Sequence, residues 1–262
     1  MKFKGILLAS DWDNTLFCKG EVSKENQEAI RYFQKEGGLF TVCSGRNKEF
    51  IDKFKDIVRP NTYSITYNGA CIYHLDDKKM LYEAFVDEKL FDIIDNFIVR
   101  ARGEIVVVIH EQNHEPQRYS VNEYKLKKSE LMQKNIYKCV IVSDNNENGL
   151  YNKIVANELE LYDYYAVRSW ATGLEFFKKC NSKGSAIKRV AEAEGVKLTI
   201  GAGDFENDIE LLEKADIGYA VGNAIDEVRN IADRITVSCD ASALAAIIYE
   251  IENDIDSGKI VL

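Results

Sequence analysis

Two stretches of the chain alternate short, mostly apolar runs with helical segments, and this alternation constrains the fold more than any other feature. Gly5–Ala9 and Leu39–Cys43 near one end, and Leu198–Ala202 and Ile217–Val221 near the other, read as strands buried on both faces of a parallel sheet. Between the first two, Ala29, Ile30 and Phe33 recur at helical spacing behind a capping Ser23, and Gly37-Gly38 ends the helix. A second helix is predicted over Phe50–Val58, stopping before Pro60. Further helices are predicted over Ser182–Glu194, Asp208–Lys214, Ile225–Ala232 and Ala243–Ile251, with a last strand at Ile235–Val237. Strands and helices in this order form an α/β, doubly wound parallel sheet.

The middle of the chain follows a different grammar. A helix is expected from about Asp87 to Arg102, then the β-branched run Ile105–Ile109, a polar turn near His114–Pro116, and strands at Tyr137–Val142 and Leu174–Phe177. Helical segments near Glu123–Lys134 and Leu150–Leu161 complete an α+β insert with mostly antiparallel strands. The expected organisation is therefore a discontinuous core, residues 1–83 and 180–262, with an inserted domain over 84–179.

The 34 Lys and Arg residues are outnumbered by 43 Asp and Glu, a formal charge of −9. This argues against nucleic acid or an acidic membrane as partner, because polyanions are held by clustered Lys and Arg. Any anionic ligand needs a local device. No stretch is long and apolar enough to span a bilayer, and the apolar run Gly5–Ala9 is too short for a secretory signal, so a cytoplasmic protein is expected. The six cysteines, Cys18, Cys43, Cys71, Cys139, Cys180 and Cys239, show no C-x-x-C spacing and are read as free thiols.

Ligands of open α/β sheets bind beyond the carboxyl ends of the strands. The first strand runs into Asp11-Trp12-Asp13-Asn14-Thr15, and the second into Ser44-Gly45-Arg46. One later helix opens with Lys183-Gly184-Ser185, and Leu198–Ala202 runs into Gly203-Asp204-Phe205-Glu206-Asn207-Asp208. Taken singly, each is an ordinary capping or turn feature. Taken together, they bring four acids to one crevice, which repel one another unless a cation lies between them. All-oxygen ligands select a hard ion such as Mg²⁺.

This ordered set resembles the haloacid dehalogenase-like (HAD) superfamily, whose four motifs run D-x-D-x-T, Ser or Thr, Lys, and G-D-x-x-N-D. The gap between Asp11 and Ser44 is too short to hold a domain, whereas that between Ser44 and Lys183 is not. With Asn68-Gly69-Ala70, Leu174-Glu175-Phe176 and Ala220-Val221-Gly222-Asn223-Ala224, the chain looks like the Cof-type subgroup with a type IIB cap on a Rossmann-like core. The resemblance implies Asp11 as nucleophile and Asp13 as general acid and base. It implies Mg²⁺ on Asp11, the Asp13 backbone carbonyl and Asp204, with Asp208 supporting the metal's shell. Lys183 would supply a fixed charge to nucleophile and phosphate. Ser44, the N–H groups of Gly45 and Arg46, those near Trp12, and the Asn207 amide would bind phosphate. Arg46 divides between a substrate contact and a surface salt bridge.

The function so implied is a Mg²⁺-dependent phosphatase of a small phosphate ester, a sugar phosphate foremost, with a cap that encloses the leaving group. Two alternatives share the motifs: a sugar-phosphate phosphomutase, and a non-catalytic phosphosugar-binding protein. Tyr162, Tyr164, Tyr165 and Trp170 in the insert are candidates for a sugar-stacking wall, with core packing the simpler reading. Nothing in the sequence fixes an oligomeric state.

Overall fold

The computed structural model describes residues 1–101, 103–143, 163–170 and 172–262. Its contacts divide the chain into two compact units, Met1–Tyr82 with Ser182–Leu262, and Glu83–Asn181. In chain order the first unit begins with β1 (Ile6–Ser10), α1 (Lys24–Lys35), β2 (Leu39–Val42) and α2 (Lys48–Lys53). The short strands β3 (Ser64–Thr66), β4 (Cys71–His74) and β5 (Lys79–Glu83) follow. The second unit holds α3 (Lys89–Arg100), β6 (Ile105–Glu111), β7 (Gln117–Ser120), α4 (Val121–Leu131), β8 (Ile136–Ser143), β9 (Tyr164–Trp170) and β10 (Gly173–Lys178). The chain then returns to the first unit with α5 (Lys183–Glu194), β11 (Leu198–Gly203), α6 (Ile209–Lys214), β12 (Ile217–Ala220), α7 (Asp226–Ile231), β13 (Arg234–Ile235) and α8 (Ala243–Asp256).

The main sheet has the order β13-β12-β11-β1-β2, and every pairing is parallel. All five residues of β1 are buried, as the central position of a sheet covered on both faces requires. Helix α1 turns Ala29, Ile30 and Phe33 inward, and Ser23 accepts the Asn26 N–H at its start, a cap worth about 1 kcal/mol. The winding reverses direction between β1 and β11. There Ser10 lies opposite Val42 on one side and Ala202 on the other. This register brings Asp11, Ser44 and Asp204 to the same edge of the sheet.

The second unit is an antiparallel sheet of order β7-β6-β8-β10-β9. One face of it, with Val107, Ile109, Cys139, Ile141 and Phe176, packs in a single cluster with Leu90, Ile94 and Phe97 of α3. Lys138 and Glu175 are nearly sealed from solvent, and both Glu175 oxygens lie 2.9 Å from the Lys138 ammonium.

Several sequence expectations need correction. The strands β3, β4 and β5 form a three-stranded sheet that the apolar pattern did not reveal. They are three to five residues long, too short to show a period. Helix α2 starts earlier than expected because Asn47 caps it through the Phe50 N–H, and it ends at Lys53. The last strand is only Arg234–Ile235. Cys18 and Cys239 are not free thiols: they form a disulfide across 221 positions of sequence, a pairing that no local spacing could announce. The segment Leu150–Leu161, expected as a helix, and Tyr162 lie outside the described residues. Tyr164 packs into the second unit's core and its hydroxyl donates to Asp87, so it is no stacking wall. Tyr165 donates to the Asn181 carbonyl, and Trp170 is 42% exposed.

Candidate active site

The strand register does most of the assembly. Asp11 leaves β1 with its N–H still bonded to the Ala202 carbonyl at 2.9 Å, and Asp204 leaves β11 one row further on. Lys183 occupies the first turn of α5, whose N-cap Ser182 accepts the Ser185 N–H. Lys183 is completely buried, and its ammonium lies 2.5 Å from Asp11 Oδ1 and 2.6 Å from Asp208 Oδ1. Carboxylate oxygens of Asp11, Asp204 and Asp208 come within 4.8 Å of one another.

Asp208 is fixed on every side. Its Oδ2 accepts the backbone N–H groups of Asp204 and Phe205 at 3.0 and 3.2 Å while Oδ1 accepts Lys183. A side chain at Gly203 would put its Cβ 2.4 Å from the Asp208 Cβ, so glycine is the residue that lets this carboxylate sit against β11. Asp204 Oδ1 accepts the buried Thr15 hydroxyl at 3.2 Å.

The electrostatics follow from crowding. Burial, and then the Asp208 charge, push the Asp11 carboxyl well above the ordinary range, against the pull of Lys183. Burial and Asp208 likewise raise Asp204 to about 7. Burial opposes the Lys183 charge too, but the facing Asp11 and Asp208 outweigh it and raise its pKa. Three carboxylates within 4.8 Å of one another, two of them forced toward protonation, are a hard oxygen donor set that fits a divalent cation.

The family model for haloacid dehalogenase-like hydrolases matches residues 8–248. The chain belongs to that family. Among curated proteins, a phosphatase of Bacillus subtilis (YwpJ) is 28% identical over 91% of this chain and 97% of its own. Phosphoglycolate phosphatase 2 of Saccharolobus solfataricus is 28% identical over 94% of this chain and 92% of its own. Among solved structures, the HAD subclass IIB sugar phosphatase BT4131 superposes with a TM-score of 0.77 at 20% identity, covering 94% of this chain and 98% of that one. A haloacid dehalogenase-like hydrolase from B. subtilis gives 0.78 at 23% identity, over 94% and 99%. This HAD chain is thus an enzyme of the Cof type, with the α/β core and antiparallel insert of the fold.

The other sequence-nominated residues are placed unevenly around the carboxylates. The Asp13 side chain stays outside their cluster, 45% exposed, and is gripped by Arg46 in a two-pronged ion pair at 2.9 and 3.0 Å. The Arg46 guanidinium also lies over the Phe50 ring, 4.6 Å from its centroid. Ser44 is buried, and its Oγ accepts the Arg46 N–H at 3.1 Å. That amide, expected to face phosphate, is therefore spent inside the loop. The Trp12 side chain is fully buried among Phe17, Phe50 and Phe54. Asn207 donates from Nδ2 to Asn68 Oδ1 at 3.2 Å. Thr15, the final residue of D-x-D-x-T, has no role in the sequence reading, and Asn68 enters it only within the Asn68-Gly69-Ala70 run.

Among the described residues, no helix is long and apolar enough to cross a membrane.

Proposed function

We propose that this HAD enzyme is a Mg²⁺-dependent phosphatase of a small phosphorylated metabolite, with sugar phosphates as its first class of substrate, acting through an aspartyl-phosphate on Asp11. The observation that carries the reading is the buried Asp11–Lys183–Asp208 chain of ion pairs at the end of β1, beside Asp204. A carboxylate at a strand end, oriented by a buried ammonium, is built to attack rather than to cap a turn. Relatives named as phosphatases of phosphoglycolate and of 5-amino-6-(5-phospho-D-ribitylamino)uracil, and the sugar phosphatase BT4131, support a small phosphate ester.

In the first step an Asp11 oxygen bonds to phosphorus as the ester P–O bond breaks, and Asp13 gives its proton to the departing oxygen. In the second, water bonds to phosphorus, the acyl phosphate bond breaks, and Asp13 takes the water's proton. For both steps Asp13 must exchange its Arg46 partner for the reacting oxygen. Lys183 holds Asp11 in place and offsets its charge. Ser44 and Asn207 donate to the phosphate oxygens. Asp11, Asp204 and the Asp13 backbone carbonyl would hold Mg²⁺, with Asp208 bracing Asp204 through its N–H. When bound, the ion offsets charge on both nucleophile and phosphate.

Asp11→Asn tests the assignment on the purified chain with an aryl phosphate and Mg²⁺. Turnover should fall by at least ~10³-fold while inorganic phosphate still binds. Unchanged turnover would remove Asp11 as nucleophile.

A further inference from the structure

Tyr67, Asn68 and Gly69 belong to none of the four motif segments, yet they have the least ordinary backbone near the site. Their φ values are 50, 53 and 99° in succession. Glycine adopts this region freely and asparagine tolerates it, but for a tyrosine it is a true outlier. Such a run persists only where its surroundings over-determine it, and it clusters at functional sites.

The contacts show what holds it. The Tyr67 N–H donates to the Arg46 carbonyl and the Asn68 N–H to the Ser44 carbonyl, each at 3.0 Å. At Gly69 an added Cβ would stand 2.4 Å from the Ser182 carbonyl oxygen, immediately before Lys183. Asn68 Oδ1 accepts from Asn207 Nδ2 at 3.2 Å. One buried turn therefore touches the segments that carry Ser44, Lys183 and Asn207.

We propose that Asn68 is a positioning residue for phosphate binding, which rests on the phosphatase reading above. An amide has two N–H groups. By accepting one of them, the Asn68 oxygen fixes the rotation of the Asn207 amide, so that the second N–H faces the phosphate and the amide oxygen does not. A terminal amide torsion is otherwise broad and roughly two-fold, and the wrong half of it presents oxygen to an anion. The left-handed turn is the means: it lets one residue bond to Ser44 through its backbone and to Asn207 through its side chain. Asn68 acts on the phosphate through Asn207.

Asn68→Gly separates the two functions, because glycine keeps the left-handed torsion while the accepting oxygen is lost. It is compared with Asn207→Ala and with the double variant in the full chain. The measurements are kcat/KM for an aryl phosphate in Mg²⁺, the inhibition constant of orthophosphate, and thermal unfolding. Asn68→Gly should lose about tenfold in kcat/KM, the scale of one hydrogen bond to a charged group, with a parallel rise in the orthophosphate constant and little change in Tm. Within Asn207→Ala it should add no further loss. Wild-type constants in Asn68→Gly, or losses that multiply in the double variant, overturn the proposal while the phosphatase reading stands. A wild-type chain that neither turns over phosphate esters nor binds orthophosphate overturns both.

Discussion

Replacing Lys183 by methionine keeps most of the side chain's volume and removes its charge. The ammonium is fully buried between Asp11 and Asp208, so the variant leaves two carboxylates, with Asp204 beside them, in a site without a counter-charge. Removing one partner of a buried ion pair costs about 3–5 kcal/mol. For a domain of this size that corresponds to roughly 6–20 °C in Tm. The pH dependence has a definite sign. Asp11 and Asp204 already have raised pKa values, and losing the lysine raises them further. An acid whose folded pKa is raised contributes stability fully below its unfolded pKa and loses it as pH climbs through the folded one. Holding the variant's carboxyls protonated costs little at about pH 5 and more as pH rises, so the deficit should be larger at about pH 8 than at about pH 5. Thermal unfolding in EDTA at both pH values, beside wild type, measures it. Asp11→Asn is the control: it deletes one of the repelling acids, so its Tm at the higher pH should equal or exceed wild type although turnover is lost. A Lys183→Met variant within about 2 °C of wild type at high pH, or one worse at low pH, would refute the account of the site as a charge-crowded cluster held by one lysine.

Mg²⁺ should raise Tm more at about pH 8 than at about pH 6, because an ion must displace the proton that Asp204, at about 7, retains on the acidic side. Equal shifts at both would count against this carboxylate site. Reducing the Cys18–Cys239 bridge should lower Tm by roughly 4–16 °C, since a cross-link closing a loop of 221 positions is worth about 2–4 kcal/mol. A dithiol added to Cys18→Ser should then do nothing further, and a dithiol without effect on the wild-type chain would argue that the bridge is not formed in solution.

What the sequence made legible was what chain order and local period control. The parallel strands appear as apolar runs, and because ligands gather beyond strand ends, the residues following Ala9 and Ala202 nominate themselves. Asp11 and Asp204 meet because of sheet register, which a correct strand assignment largely carries with it, while Lys183 comes from the first turn of α5 and Asp208 from the turn after β11. Contacts made by single side chains across the fold were not legible. Thr15 reaches Asp204, Cys18 meets Cys239, and Asn68 meets Asn207. None of these has a period or a spacing. The Asn68-Gly69 pair reads from sequence as an ordinary turn, and only its neighbours show that the turn lies against three of the motif segments. Arg46 is ambiguous for another reason: a charge beside an expected phosphate loop is as consistent with an acidic side chain as with an anion, and here it holds Asp13.

The chain's net charge of −9 disfavours phosphate at its surface, and the arrangement of charges shows how the site departs from the average. Asp13 and Arg46 neutralise each other in a half-exposed pair. Further in, Asp11 and Asp208 share a single ammonium with Asp204 beside them, which leaves the buried cluster two negative charges in excess when all are ionised. One divalent ion cancels that excess; a monovalent ion does not, and two divalent ions would overshoot it. Once cancelled, the cluster no longer repels a dianion, and the donors proposed at Ser44 and Asn207 need only orient it. Charge count and donor chemistry therefore lead to the same proposed cofactor by separate routes, one from electrostatic balance and the other from the preference of hard oxygen ligands for a hard ion.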